Sequence, residues 1–76
     1  MYKTKDFYHA SIIKSLGGHL IDLERTDNNF CYFVFDDPSK QAEEIVRRYW
    51  NRELLVEPRM MVETINELKT RLHSRG

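Results

Sequence analysis

A chain of 76 residues has the length of one domain, close to the size at which a single hydrophobic core leaves only a few kcal/mol of net stability. Twelve lysines and arginines balance twelve aspartates and glutamates, so no overall field attracts nucleic acid and no acidic excess mimics it. The hydrophobic fraction of 41% excludes a disordered chain.

The single cysteine and the first residues of the chain indicate a reducing, cytoplasmic compartment. Cys31 cannot form an intrachain disulfide and lies in an apolar run, where a buried, reduced thiol is the ordinary expectation. The first residues lack the apolar stretch of a signal peptide, and no run of about eighteen uncharged apolar residues occurs. We therefore expect one cytoplasmic domain over residues 1–76, with no membrane partner.

The chain begins with a predicted helix. Thr4 is the predicted N-cap of a helix that starts near Lys5 and stops at Gly17-Gly18, because glycine adopts the left-handed conformation that ends helices. Its apolar positions recur at helical spacing: Phe7, Ala10, Ile13 and Leu16, with Ile12 beside them.

A β-hairpin is predicted next. His19 to Arg25 alternates apolar and charged residues, whereas Phe30 to Phe35 is a continuous aromatic and β-branched run. Between them, Asp27-Asn28-Asn29 are residue types that favour tight turns and tolerate positive φ.

The length of this loop decides the faces of the hairpin, because a shift of one residue moves every side chain to the other face. A two-residue loop would set the aromatic strand's apolar residues beside Asp22 and Glu24. A three-residue loop, with an asparagine in the left-handed position, pairs Thr26 with Phe30 instead and is favoured. It predicts one apolar face, made of Ile21, Leu23, Cys31, Phe33 and Phe35.

The second face of the hairpin is the predicted protein-interaction site. It places Tyr32 and Val34 beside Asp22 and Glu24. These residues together are too apolar to be left wholly to water, so a partner is expected to dock there if the helices cover only the first face.

Two amphipathic helices complete the predicted α+β fold. Asp37-Pro38 starts the first, which ends near Asn51, and Pro58 starts the second. The segment 54–56 between them is read as an extended link or a short third strand. The predicted buried positions are Ala42, Ile45, Val46, Tyr49 and Trp50 in one helix, and Met61, Val62, Ile65, Leu68 and Leu72 in the other.

No catalytic, metal or cofactor site is predicted. The three histidines, His9, His19 and His73, and Cys31 lack the paired spacing of metal ligands. Burial expected for Cys31 would raise its pKa and make it a poor nucleophile. No glycine-rich phosphate loop and no separated carboxylate pair occurs. The chain is therefore predicted not to be an enzyme.

A nucleic-acid site is the alternative. Arg47, Arg48 and Arg52 gather at the end of the first amphipathic helix, with Tyr49 and Trp50 interleaved. Arginines and aromatic rings together can hold phosphate and stack bases. Against this, both rings fall on the predicted apolar stripe, and cations are common at helix C-termini.

Several segments, taken in order, resemble a known family. They are Lys3-Thr4-Lys5-Asp6, Gly17-Gly18, Phe33-Val34-Phe35-Asp36-Asp37, Tyr49-Trp50-Asn51, Leu55-Val56-Glu57-Pro58 and Leu68-Lys69. Their order and spacing resemble short phage and bacterial proteins known only as a domain of unknown function. The resemblance implies a phage or mobile-element setting and carries over no active site, because the shared residues have capping and core roles.

These observations predict a small non-enzymatic protein-interaction module. Its partner is a host or phage protein, for example a host defence factor that it inhibits, or a second copy of the chain. A free edge of the hairpin is a physical handle for such contacts. The alternative function is a small nucleic-acid-binding accessory protein.

Overall fold

The computed structural model describes residues 1–28 and 30–74. Within them the chain is α+β, as predicted, with strands in one antiparallel sheet. The elements in chain order are β1 (Tyr2–Thr4), α1 (Phe7–Ser15), β2 (His19–Arg25), β3 (Cys31–Asp36), α2 (Gln41–Trp50) and α3 (Pro58–His73).

The sheet begins with a strand that was not predicted. Its order is β1-β3-β2, with Tyr2 opposite Phe35 and Thr4 opposite Phe33. The predicted order, with a helix first, is therefore wrong. The third strand lies at the start of the chain rather than at residues 54–56, which connect α2 to α3 without pairing in the sheet.

The hairpin has the predicted three-residue loop. The amide of Thr26 donates to the carbonyl of Phe30 at 2.9 Å, and Arg25 lies opposite Cys31. The predicted left-handed asparagine is Asn28 or Asn29. Asn29 lies outside the described residues, and the non-glycine residues described with positive φ are Lys40 and Arg52.

A β-bulge changes the inner face near the start of β2. Asp22 lies opposite Val34 but Leu20 lies opposite Phe35, so Ile21 has no partner of its own. Leu20 therefore packs against the core, and Ile21 is exposed. The prediction that Ile21 lies on the inner face is wrong. Strict alternation of side chains between the two faces does not hold across a bulge, and the sequence carries no signal for this bulge.

Asp6 caps helix α1, rather than Thr4 as predicted. One carboxylate oxygen of Asp6 accepts from the amides of Tyr8 and His9, both at 2.9 Å. Thr4 belongs to β1, and its hydroxyl oxygen accepts from the amide of Asp6 at 3.1 Å. Because Thr4 lies in β1, the helix starts about two residues later than predicted.

The glycine pair ends α1 as predicted. Gly17 has φ of 99°, its amide donates to Lys14, and the amide of Gly18 donates to Ile13 at 2.8 Å. These two bonds form a Schellman motif, which satisfies carbonyls of the last turn. The chain then passes directly into β2.

Of the two C-terminal helices, α3 starts where predicted and α2 starts later than predicted. Pro58 begins α3 as predicted, with the Glu57 carboxylate accepting from two amides. Helix α2 begins at Gln41, because Pro38 lies in a turn closed by a bond from Lys40 to Asp37. The Asp37 carboxylate still accepts from amides of the first turn.

The core lies between the inner sheet face and the helices, with α1 packed against both α2 and α3. Its fully buried members are Ala10, Ile13, Phe33, Phe35, Ala42 and Leu68. Leu16 and Val62 were predicted to be buried and are exposed. In the described chain no helix is both long and apolar enough to cross a bilayer.

We predict that the two glycines differ in tolerance. A Cβ on Gly18 would lie 2.5 Å from Cγ2 and 2.7 Å from the carbonyl oxygen of Ile13, whereas one on Gly17 would meet open space. Gly18→Ala should lower the free energy of unfolding by about 3 kcal/mol. Gly17→Ala should lower it by about 1 kcal/mol, through φ alone.

Urea denaturation followed by circular dichroism measures both losses, and Gly17→Asn is the control. Asparagine tolerates the left-handed region, so this variant should lose less than Gly17→Ala. Equal losses for the two alanine variants would contradict the packing described at Gly18.

Candidate functional site

The outer face of the sheet holds the residues predicted to bind a partner. Asp22 lies opposite Val34 and Glu24 opposite Tyr32, so all four share the face away from the core. Val34, however, is only 3% exposed. The apolar surface offered to a partner is therefore smaller than predicted.

The unpredicted strand β1 accounts for part of this difference. It places Lys3 opposite Val34, and Nζ of Lys3 lies 2.9 Å from a carboxylate oxygen of Glu24 in β2. This ion pair joins the two outer strands across the central one. The stem of a lysine readily covers apolar surface beneath it while its charge stays in water.

The edge of β2 is also poorly suited to receive a strand. Because Thr26 and Phe30 form a hydrogen-bonded pair, alternation makes Leu23 and Phe33 a non-bonded pair, so the Leu23 amide points to the free edge. That amide donates to the Asp22 carboxylate at 2.8 Å. The side chain and the nearby bulge both blunt the edge.

The three predicted arginines do not have equivalent surroundings. Nε and Nη2 of Arg47 donate to the two carboxylate oxygens of Glu44, at 3.0 and 2.5 Å. This bond lowers the pKa of Glu44 below its usual value. Arg48 donates to the backbone carbonyl of Glu53 at 3.4 Å, and Arg52 follows the helix end.

The last turn of α2 carries an exposed aromatic cluster. Rings of Tyr49 and Trp50 lie 5.3 Å apart, and His9 of α1 lies 5.4 and 5.6 Å from them, all edge to face. Trp50 is 67% exposed and Tyr49 is 38% exposed. The prediction that both belong to the buried stripe is wrong.

The reason for this exposure is the position of α2 on the core. Ala42, Ile45 and Val46 contact the core, whereas the last turn lies beyond it. A groove of about 280 Å³ is lined by Tyr49, Trp50 and Arg52. We call Tyr49, Trp50, Arg48 and Arg52, with His9 beside them, the aromatic end of α2.

Backbone geometry at this end is unusual for the residue type. Arg52 has φ of 59°, in the left-handed region normally occupied by glycine. The amide of Arg52 donates to Tyr49, and that of Glu53 donates to Arg48 at 2.9 Å. These bonds repeat the motif that ends α1, here with a long cationic side chain at the strained position.

Cys31 is the one cysteine of the chain and the remaining candidate for a reactive group. Cys31 is half-buried, and burial raises the pKa of its thiol, an effect that nearby Arg25 partly opposes. A raised pKa reduces the thiolate fraction at neutral pH. Among the described residues, no group of three or more histidine, cysteine, aspartate or glutamate side chains could hold a metal ion.

We predict that the aromatic end contributes little to stability. Trp50→Ala should lower the free energy of unfolding by no more than about 1 kcal/mol, because most of the ring is already in water. Leu68→Ala, at a position that is 0% exposed, should lower it by about 2–5 kcal/mol. Urea denaturation followed by circular dichroism compares the two, and similar losses would contradict the exposure described for Trp50.

A second prediction concerns the strained arginine. Arg52→Gly should raise the free energy of unfolding by about 1 kcal/mol, because glycine adopts positive φ without steric conflict. Arg52→Ala removes the same charge but keeps Cβ, so its stability should stay within about 0.5 kcal/mol of the original. Thermal and urea denaturation of both variants make the comparison. A glycine variant no more stable than the alanine variant would show that φ carries no strain.

Comparison with known proteins identifies a family. No curated protein and no solved structure matches the chain. The family model described as Domain of unknown function (DUF5659) matches residues 1–74, which confirms the resemblance to a domain of unknown function. The phage or bacterial origin stays a prediction. Because this match covers nearly the whole chain, the protein belongs to the DUF5659 family.

Proposed function

We propose that this protein is a non-enzymatic module that binds another protein through the aromatic end of α2. The observation that carries the proposal is the exposure of Trp50, which is 67% exposed and lines a groove together with Tyr49 and Arg52. Tryptophan, tyrosine and arginine are the residues most enriched among those that dominate binding energy at interfaces. An exposed tryptophan that the core does not need is consistent with such a role.

The proposed surface differs from the one first predicted. The outer sheet face, with Tyr32, Val34, Asp22 and Glu24, has its central valine already covered. At the aromatic end, by contrast, large rings and an open groove are available to a partner. We therefore place the main contact at α2 and assign the sheet face a lesser part.

The proposal extends to the biological setting. A gene carried by a phage, prophage or other mobile element would supply a small protein that acts by occupying a host or phage protein, for example a host defence factor. The small size of the domain is compatible with inhibition by binding. Genes beside it would test this setting directly.

Single-stranded nucleic acid is the second candidate partner. The observation that favours it is that Tyr49 and Trp50 are exposed, which removes the argument that they are core residues. Base stacking on such rings contributes about 1–3 kcal/mol per base. Arg48 and Arg52 would then contact phosphate, and affinity would fall steeply with salt as counterions are released.

We predict that capture of a partner depends on Trp50. The purified chain, immobilised, should retain one defined protein from a bacterial lysate, and nuclease treatment should leave its amount unchanged. Trp50→Ala should reduce the amount retained by about tenfold, the loss of a residue that dominates an interface. Quantitative mass spectrometry of the retained proteins measures both effects.

Met60→Ala is the matched control. Met60 lies in α3, is half exposed, and is absent from both the core cluster and the aromatic end. Its substitution should leave capture unchanged. Loss of the partner on nuclease treatment would select nucleic acid instead, and equal capture by the Trp50 and Met60 variants would refute the proposed surface.

A further inference from the structure

We infer that the protein partner presents an acidic segment with one large apolar side chain to the aromatic end of α2. This inference rests on the proposed function, since it names the chemistry of the partner at the same surface. It follows from two features of this surface: an open aromatic groove, and two arginines that form no ion pair with other described residues.

The groove accounts for the apolar side chain. Tyr49, Trp50 and Arg52 line a space of about 280 Å³, which is enough for one leucine or aromatic side chain. His9 packs its ring edge to face against both aromatic rings and belongs to another helix. The walls of the groove are therefore supported from α1, so a ligand meets a preformed surface, which reduces the ordering cost of binding.

The arginines account for the acidic character. Five of the twelve lysines and arginines lie within 4.0 Å of a carboxylate: Lys3, Lys14, Arg47, Arg59 and Arg71. Arg48 and Arg52 have no such partner among the described residues, although Glu44 lies only one turn from Arg48 and pairs with Arg47 instead. Partner carboxylates would form charge-assisted hydrogen bonds with these two guanidinium groups.

The small number of unpaired arginines at the aromatic end favours a protein partner over a nucleic acid. Arg48 and Arg52, which form no ion pair with another described residue, could bind one or two carboxylates of a partner. Non-specific nucleic-acid binding draws its affinity from several phosphate contacts at once, and here the formal net charge of the chain is zero. Because Arg47 pairs with Glu44, the positive charge of the predicted trio of arginines is partly neutralised. A short acidic peptide segment matches the charge that remains.

The experiment selects ligands from a display library of short random peptides, with the full chain as bait. Trp50 is the only tryptophan, so its fluorescence reports occupancy of the groove when the selected peptides are titrated. The expected pool is rich in aspartate and glutamate and has a leucine or aromatic residue in common. The Arg48→Ala/Arg52→Ala double variant should bind it about tenfold more weakly.

Arg59→Ala is the charge-matched control, because Arg59 lies in α3 and pairs with Glu63. Its affinity for the selected peptides should not change. A neutral or basic pool, no enriched pool, or affinity unaffected in the double variant would each overturn the inference. Tighter, strongly salt-dependent binding of a thymidine oligonucleotide would overturn it in favour of nucleic acid.

These outcomes separate the inference from the proposed function. If the lysate partner depends on Trp50 but is retained equally by the Arg48→Ala/Arg52→Ala variant, the protein-binding function stands and the acidic partner is excluded. If Trp50→Ala leaves capture unchanged, the surface itself is refuted, whatever peptides are selected.

Discussion

The structure depends on burying one face of strand β3 beneath the helices. Phe33 and Phe35 lie on that face and are almost completely buried. As the central strand, β3 pairs with β1 on one side and β2 on the other, so both outer strands are aligned by its register. A shift of one residue would carry both phenylalanines to the opposite face, so this register is strongly specified.

The same arrangement determines which surfaces are free. Helix α2 contacts the core through its first two turns, and its final turn, with Tyr49 and Trp50, extends past it. Arg52 then reverses the chain in a left-handed conformation that glycine would adopt with less strain. The backbone strain at Arg52 therefore lies beside an exposed aromatic cluster.

The outer sheet face shows the opposite behaviour. There Lys3 and Glu24 form an ion pair across β3, and Val34 is buried. The Asp22 carboxylate accepts a hydrogen bond from the Leu23 amide, which an incoming strand would need for pairing. These are features by which sheets avoid unwanted association. Membership of the DUF5659 family does not choose between the surfaces, because the segments behind the resemblance have mainly capping and core roles.

Local patterns in the sequence determined the hairpin, its three-residue loop, the glycine stop of α1 and the proline start of α3, because turn chemistry and capping act between near neighbours. Tertiary structure decided what involves distant residues. The strand β1 is only three residues long and forms because β3 has a free side, and Ile21 leaves the inner face through a bulge. The exposure of Trp50 could not be predicted from the sequence either. Helical spacing shows which residues share a face of the helix, but not how far the core extends along that face.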